Sequence, residues 1–516
     1  MIKTICIWVI RYGAAVALII AMAALGQAQG QQPPEFAQID AATKIQDMAA
    51  RLKELERLKA AFPKSQLMVM LNMYIAEAKV TLTPTLDGIL ELQKESLKQL
   101  EGYFQFMNYS QAAEQILDHK NFIKFDKAKV TESILSYKAQ IDKFLQSQSF
   151  INSFPEPMRP QLRQAGNEFG LYLAWAYLNE GKVDQAVLVL EDYKRGGGNI
   201  GADYQYVAAE ANIRRGRDKD AYEGYLTAAA ENYKDAADKA KALYLKINAK
   251  TEGFEASLEA KRRALPYHPE PFKAPADWKG KAVLAELFTG SECPPCVGAD
   301  LGFDGLLEVY DAKYLAVLEY HLPIPGPDPM MNPATKKRQD YYGVRSTPST
   351  FFDGESKFGG GAARTASEKK FKEYSGEINA RLAEGAQIVL TVATERSGDL
   401  VKVNYGFDQA LPNADYNLTL VQKEVMYKGG NGILYHKMAV RDFLTVDPSA
   451  AEKQTTLNLG ELEKAAARYL DDFEKVQKFT FKEKRFTIER AKLAVIFFVQ
   501  NKETKKVYNA VVADVK

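Results

Sequence analysis

The 516-residue chain contains only three cysteines, and this scarcity limits what its thiols can do. Cys6 lies near the N-terminus, so a chain cleaved after Ala28 keeps two cysteines in 488 residues (516 minus 28). Both belong to the tetrapeptide Cys293-Pro294-Pro295-Cys296. A disulfide across so short a ring is a poor staple, because the stabilisation by a disulfide grows with the length of the loop it closes. The spacing therefore favours redox chemistry over a structural disulfide framework.

Long apolar runs are also missing. Lys3 and Arg11 are the only charges before a short apolar segment, Ala14 to Leu25. This pattern is typical of a secretory signal, and we predict a signal peptide at residues 1–28; an uncleaved anchor is the alternative. No later segment reaches the roughly 20 apolar residues that a bilayer span requires. We therefore expect a secreted or periplasmic protein with no membrane span after signal cleavage.

The numbers of basic and acidic residues nearly balance, at 68 and 66. The formal net charge is +2, and removal of the two signal-peptide cations leaves zero. Basic and acidic residues are interleaved without a basic patch, so nucleic acid is not an expected partner. The sequence shows no phosphate-binding glycine loop and no recognised metal-ligand spacing, so we expect no cofactor and no metal. A copper site that joins His321, Met330 and Met331 to the cysteine pair is the alternative.

The first part of the mature chain is predicted to be helical. Residues 36–165 contain long runs free of glycine and proline, such as 41–61 and 103–154. In the first of these runs, apolar residues recur three or four positions apart, which is the spacing of one helix face. We therefore expect an N-terminal helical region.

An internal repeat lies within residues 166–265. Four small residues recur 35 positions later in the chain: Ala174, Ala176, Gly181 and Ala186 match Ala209, Ala211, Gly216 and Ala221. Small residues let two helices approach closely, and a glycine suits the turn between them. The segment resembles tetratricopeptide repeats, whose period is about 34 residues. This resemblance implies a concave surface for a protein partner, and a purely supporting scaffold is the alternative.

The composition changes after a proline-rich linker at residues 266–278. Strands and helices alternate in residues 272–384, which predicts an α/β domain: strand 281–288, helix 301–310, strands 314–322 and 349–353, and helix 369–382. Residues 385–516 contain mainly strands, separated by turn clusters: 387–394, 400–407, 416–426 and 493–500. Although a helical stretch at 460–475 interrupts these strands, we expect an antiparallel β-sandwich there. The predicted fold class is therefore multidomain, with all-α, α/β and β-sandwich parts.

The cysteine pair lies between a predicted strand and a predicted helix. At a helix N-terminus, unpaired N–H groups and the helix dipole favour the thiolate of Cys293. Cys296 lies one turn further on and can attack a mixed disulfide formed by Cys293. Further along, Thr347-Pro348 precedes a strand. A cis peptide bond there would leave the Thr347 backbone open to pair with an extended substrate chain.

These two motifs carry a resemblance to a known family. The α/β region resembles a thioredoxin-like domain, and together with the strands that follow it resembles secreted bacterial thioredoxin-like envelope proteins. The resemblance implies Cys293 as the attacking thiol and Cys296 as the resolving thiol. It also implies that Thr347 and Pro348, as a cis-proline, contact the substrate. Glu286 lies near the position of the family's proton-exchanging acid, with a surface glutamate as the alternative.

The sequence therefore predicts a thiol–disulfide oxidoreductase that acts on protein disulfides. Glu292 replaces the tryptophan that is common before the first cysteine, and a neighbouring carboxylate should raise the pKa of the Cys293 thiol. We accordingly expect a moderately reducing couple. The rival interpretation is a non-catalytic envelope binding protein with a degenerate thioredoxin-like domain. An exposed Cys293 above a buried Cys296 would favour the enzyme.

Overall fold

The computed structural model describes residues 34–65, 67–156, 159–274, 276–356 and 358–516. The predicted signal peptide and Cys6 lie outside the described residues. Internal contacts divide the chain into two compact units, the first ending at Leu258 and the second beginning at Glu259. Within the described ranges, no helix is long and apolar enough to cross a membrane.

The N-terminal half is helical, as predicted. Thirteen α-helices are assigned among its described residues: α1 (Pro34–Thr43), α2 (Met48–Ala61), α3 (Met68–Leu82), α4 (Leu86–Lys98), α5 (Gly102–Leu117), α6 (Lys127–Gln146), α7 (Gln148–Asn152), α8 (Arg159–Glu180), α9 (Val183–Arg195), α10 (Ala202–Arg214), α11 (Asp218–Ala230), α12 (Ala236–Asn248) and α13 (Phe254–Arg263). Side chains that accept a first-turn amide fix several starts. Asp47 accepts from Ala50, and Asp126 accepts from Lys129. Such caps satisfy donors that the helix itself leaves unpaired.

The predicted repeat corresponds to two helical hairpins, α8–α9 and α10–α11. Gly181 and Gly216 occupy the turns with φ of 88° and 69°, a region that glycine adopts without steric penalty. The small residues of the repeat are buried where the helices meet, including Ala174 and Ala209. A Cβ atom at Gly224 would lie 3.0 Å from the Ala209 Cβ atom, so α10 and α11 are in close contact.

The second unit is built on a seven-stranded mixed sheet in the order β10-β9-β6-β7-β2-β1-β3. Its strands are β1 (Val283–Thr289), β2 (Leu315–His321), β3 (Ser349–Phe352), β6 (Ala414–Met426), β7 (Tyr435–Val446), β9 (Leu493–Asn501) and β10 (Val507–Asp514). β1 and β2 are parallel, and β3 runs antiparallel to β1. β2 also pairs in parallel with β7, where Glu319 lies opposite Ala439.

Three further strands form a separate sheet in the order β4-β5-β8. They are β4 (Leu390–Ser397), β5 (Leu400–Phe407) and β8 (Gln454–Asn458). Their buried side chains share a core with β6 and β9. In this core the ring centres of Tyr405 and Phe497 are 5.3 Å apart. The antiparallel pairing predicted for residues 385–516 is confirmed. The seven strands of this region do not form a separate β-sandwich, however. Four of them, β6, β7, β9 and β10, belong to the same sheet as β1.

Helices pack on both faces of the large sheet. On one face, α14 (Val297–Val309) and α16 (Ser367–Leu382) pack together, with the Phe303 and Tyr374 rings 5.3 Å apart. α15 (Pro333–Tyr342) lies on the other face, where the Tyr342 ring stacks on the Phe351 ring with their centres 4.0 Å apart. Adjacent strand residues point to opposite faces, and Phe352 accordingly packs against the α14 side. A fourth helix, α17 (Leu459–Gln477), follows β8.

Candidate functional site

Cys293 and Cys296 form a disulfide at the start of α14, with an S–S distance of 2.08 Å and a Cα–Cα distance of 5.3 Å. Cys293 caps a 3₁₀ turn, Pro294–Cys296, that continues directly into the helix. Prolines fit here because first-turn N–H groups have no partner within the helix. The pair therefore occupies the strand–loop–helix position that the sequence predicted.

Both cysteines are buried. Cys293 is 1% exposed and Cys296 is 0% exposed, whereas the neighbouring Pro295 is exposed. An exposed Cys293 above a buried Cys296 is what we expected of an enzyme. In this conformation Cys293 is not exposed, so its sulfur is out of reach of a large substrate.

The Thr347–Pro348 peptide bond is cis, as predicted, and it lies beside the disulfide. The Thr347 carbonyl oxygen is 3.8 Å from the Cys293 Sγ atom, and the Thr347 hydroxyl is 3.3 Å from it. The same hydroxyl is 2.8 Å from the Ile324 carbonyl, which accepts a hydrogen bond from it. The structure therefore brings Thr347 and Cys293 together across 54 positions of sequence.

The first-turn backbone N–H groups after Cys293 donate to carbonyl oxygens, except where proline supplies none. Two of these positions are prolines and have no N–H group. The Cys296 amide donates to the Cys293 carbonyl at 3.0 Å, and the Gly298 amide donates to Ala362 at 2.8 Å. The structure shows the disulfide form, in which no thiolate is present, and the Cys296 and Gly298 amides have carbonyl partners in it.

A glycine-rich segment lies directly against the tetrapeptide. The Ala362 amide donates to the Pro295 carbonyl at 2.8 Å. A Cβ atom at Gly361 would lie 2.2 Å from the Pro295 Cβ atom, and one at Gly298 would lie 2.5 Å from the Ala362 Cβ atom. Real Cβ atoms do not approach each other this closely, so glycine at both positions permits the two backbones to meet.

Glu286 is buried in an ion pair and does not contact the cysteines. The Arg338 Nε and Nη2 atoms donate to its two carboxylate oxygens at 2.8 and 2.9 Å, and the Tyr342 and Tyr320 hydroxyls also donate to it. Arg338 belongs to α15, on the opposite face of the sheet from α14. The structure therefore does not bring Glu286 and Cys296 together, and the proton-exchange role implied for Glu286 has no geometric support.

Three other carboxyl groups, which sequence reasoning missed, lie on the α14 side. Burial raises the pKa of Asp304 to about 7, and it raises the pKa of Asp300 and of Glu319 well above the usual range. Within the described part of the chain, one carboxylate oxygen of Asp300 and one of Glu319 are buried without a hydrogen-bond partner. Asp300 lies four residues after Cys296, a spacing that places both on one helix face, and that spacing could have identified it.

No family model matches this chain. No curated protein matches it either. Among solved structures, the chain is similar to HBP35 of Porphyromonas gingivalis, with a TM-score of 0.32 and 16% sequence identity over 47% of this chain and 77% of that one. At this TM-score the likeness supports no statement about fold or function.

His321 is held by a carboxylate. Its Nδ1 atom is 3.0 Å from the Asp328 Oδ2 atom, and Asp328 also accepts the Ser291 amide at 2.6 Å and the Met330 amide at 2.8 Å. Through Asp328, the insertion after β2 therefore fixes the backbone just before Cys293.

Among the residues that the structure describes, no group of three or more His, Cys, Asp or Glu side chains is placed to hold a metal ion.

Glu292 contacts a distant turn of the same unit. Its Oε1 atom accepts the Gly430 amide at 3.2 Å, and burial raises the pKa of its carboxyl group. Gly430 lies between β6 and β7. The carboxyl group next to Cys293 is therefore hydrogen-bonded and partly withdrawn from solvent.

Proposed function

We propose that the chain is a secreted or periplasmic thiol–disulfide oxidoreductase that acts on protein disulfides through Cys293 and Cys296. The observation that carries this proposal is the position of Thr347, whose carbonyl and hydroxyl groups lie 3.8 and 3.3 Å from the Cys293 sulfur. A backbone held beside a reactive sulfur can pair with an extended chain that brings its own sulfur to the site.

The strand arrangement around the pair supports a thioredoxin-like core. β1 and β2 are parallel and are connected through α14, which begins at the cysteine pair. β3 follows the cis-proline and pairs antiparallel with β1, and α16 then packs beside α14. In the first unit, the hairpins α8–α9 and α10–α11 support a tetratricopeptide-like surface for a protein partner.

The proposed reaction exchanges one disulfide for another. In the reduced protein, the Cys293 thiolate attacks one sulfur of the substrate disulfide, and the other substrate sulfur leaves as a thiolate. Cys296 then loses its proton and attacks the Cys293 sulfur of the mixed disulfide. The second substrate sulfur leaves, two electrons have passed to the substrate, and the Cys293–Cys296 disulfide is closed. An external dithiol must reduce this disulfide before the next turnover.

The surroundings of Cys293 support a moderately reducing couple. In the reduced protein a Cys293 thiolate is followed by two prolines, which have no N–H group to donate, and the Glu292 carboxyl group lies next to it in sequence. Both features leave the thiolate poorly stabilised, and a strongly oxidising pair needs a well-stabilised thiolate.

The burial of Cys293 favours a second candidate, a non-catalytic envelope binding protein. In that case the disulfide only fixes the start of α14, and the helical repeats and the C-terminal strands carry the function. The two candidates differ in whether the pair exchanges electrons at physiological potentials.

The experiment is a redox titration of the pair against a graded glutathione buffer, with Cys293→Ser as the control that cannot form the disulfide. A reversible two-electron couple between about −120 and −270 mV supports the oxidoreductase. A disulfide that stays closed below about −300 mV, or thiols that never pair, supports the binding protein.

A further inference from the structure

The first unit contains a cleft that the proposed redox reaction does not use. It has a volume of about 510 Å³ and is lined by α4 and α6, with Gln105 and Tyr109 contributed by α5. Volumes of roughly 300–1,000 Å³ are typical of ligand pockets, so this space exceeds what a lone ion needs. We name it the basic cleft, and its other lining residues include Leu90, Lys94, Leu97, Lys98, Lys129 and Tyr137.

α4 and α6 each present one stripe of side chains to the basic cleft. On α4 the lining positions are 90, 94, 97 and 98, and on α6 they are 129, 132, 133, 136, 137 and 140. Positions three and four apart lie on the same face of a helix. The Tyr137 hydroxyl donates to the Gln93 side-chain oxygen at 2.8 Å, and Lys129 forms an ion pair with Asp87. Two side-chain contacts therefore connect α4 and α6 around the cleft.

Lysines dominate the charge of the basic cleft. Three lysines line it, Lys94, Lys98 and Lys129, against one carboxylate, Glu132. Lys94 and Lys98 are exposed, and within the described residues neither of them forms an ion pair. They lie four positions apart on α4, a spacing at which two like charges destabilise a helix. An anion bound between the two ammonium groups would relieve this repulsion.

The basic cleft also offers apolar surface. Leu97 is buried and Leu90 is half-buried, and the centres of the Tyr109 and Tyr137 rings are 5.7 Å apart. Burial raises the pKa of both phenol groups, so neither ring carries a charge that would repel an anion. A ligand that matches this cleft therefore carries negative charge for the lysines and an apolar group for the leucines and rings.

We propose that the basic cleft binds an acidic peptide segment of a partner protein. Its carboxylates contact Lys94 and Lys98, and an apolar side chain between them packs on the Tyr109 and Tyr137 rings. A peptide meets both demands because neighbouring side chains supply charge and apolar surface together, whereas an inorganic anion meets only the first. The cleft lies outside the hairpins α8–α9 and α10–α11, so this site is separate from the surface proposed above and does not depend on the redox reaction.

The test measures binding of a fluorescein-labelled peptide, Glu-Glu-Leu-Glu-Glu-Leu-Glu-Glu, to the full chain by fluorescence anisotropy. We expect saturable binding that Lys94→Glu/Lys98→Glu weakens about tenfold or more, because two attractions become repulsions. The matched control is Lys53→Glu/Lys59→Glu, in which both lysines are exposed on α2 and outside the cleft. It changes the net charge equally, and at about 0.15 M salt we expect it to change the affinity by less than about twofold.

Two further measurements separate the cleft from general attraction between opposite charges. A second peptide has serine in place of both leucines, and we expect it to bind about fivefold more weakly because it buries less apolar surface. Lys94→Gln/Lys98→Gln, which removes the charges without reversing them, should give a smaller loss than the glutamate variant. Circular dichroism shows that each variant keeps its helices.

Loss of binding in the cleft variants, beside an unchanged control and a weaker second peptide, supports the proposal. No saturable binding to the unchanged chain would overturn it, and so would equal losses in the cleft and control variants. Equal binding of the two peptides would show that the lysines attract any anion, and would overturn the assignment to a peptide. Because no thiol takes part, these outcomes are independent of the glutathione titration that tests the proposed function.

Discussion

Glu286 and Arg338 form a two-point ion pair beneath the sheet, with Nε–Oε1 at 2.8 Å and Nη2–Oε2 at 2.9 Å, on the face away from the cysteines. Both side chains are almost fully buried, at 0% and 2% exposure for the two residues. The pair joins β1 to α15, and the Tyr320 and Tyr342 hydroxyls complete its hydrogen bonding. A carboxylate in such surroundings stabilises the fold and is a poor candidate for proton exchange with a thiol.

Removing one partner of this pair should destabilise the protein strongly. Arg338→Met leaves the Glu286 carboxylate buried without its counter-ion, and we expect the free energy of unfolding to fall by about 3–5 kcal/mol. Denaturant unfolding measures the loss. Lys336→Met on the same helix is the control, because its ion pair with Asp340 is half-exposed and contributes less than about 1 kcal/mol. A loss as small in Arg338→Met as in the control would contradict the structural role.

The free energy of unfolding of the second unit should fall as pH rises from about 4 to about 7, because Asp304 has a pKa of about 7 in the folded protein. Its unfolded pKa is about 4, so the folded state binds its proton more tightly. This contribution is complete below pH 4 and is lost as pH rises through 7, by at most about 1.4 kcal/mol per pH unit. Asp304→Asn should flatten the profile in urea unfolding between pH 4 and 8. Glu308→Gln, exposed on the same helix, should leave the profile unchanged.

A methyl group at Gly298 should separate α14 from the glycine-rich segment. Alanine normally stabilises a helix relative to glycine by roughly 1 kcal/mol. Here, however, the added Cβ atom would lie 2.5 Å from the Ala362 Cβ atom and 2.8 Å from its carbonyl oxygen. We expect Gly298→Ala to lower stability by about 1–3 kcal/mol in thermal unfolding. Gly376→Ala in α16, where an added Cβ atom meets nothing within 4 Å, should instead raise it. Stabilisation by both changes would show that the close contact does not exist.

The hairpin turns of the first unit should depend on glycine for conformation alone. Gly181 and Gly216 have positive φ, and an added Cβ atom at either position meets nothing within 4 Å. Gly216→Ala should therefore lower stability by about 1–2 kcal/mol through the left-handed backbone only. Gly216→Asn should lower it less, since asparagine tolerates this region. Thermal unfolding of the two variants ranks them, and equal losses would point to a steric cause.

Local pattern predicted the elements that carry their own periodicity. β5 spans Leu400–Phe407 as predicted, because Val401, Val403 and Tyr405 alternate with exposed residues. The loop–helix position of the cysteine pair was predicted in the same way, whereas the cis peptide before β3 was implied by the resemblance to thioredoxin-like domains. Helix α15 was missed because it has no apolar stripe, although Asn332 and Gly343 mark its start and end. Those two residues are ordinary helix-cap signals.

Relations between distant residues could not be predicted. β7 contains the buried His436 and Arg441, so its sequence lacks the alternation of a strand, and its pairing with β2 joins residues 120 apart (439 minus 319). Glu286 was placed on a strand correctly, but its partner Arg338 lies 52 positions later. The groups around a buried carboxyl group decide whether it forms an ion pair or exchanges protons, and only the folded chain brings those groups together.

The pairing of β2 with β7 also bears on how this protein can be divided. In the intact chain β2 is an interior strand of the sheet, flanked by β1 and β7. A chain cut after residue 384 would present its β2 backbone as a bare edge, and bare edges invite pairing with other copies. The strands that flank the cysteine pair and the C-terminal strands therefore have to be expressed as one piece.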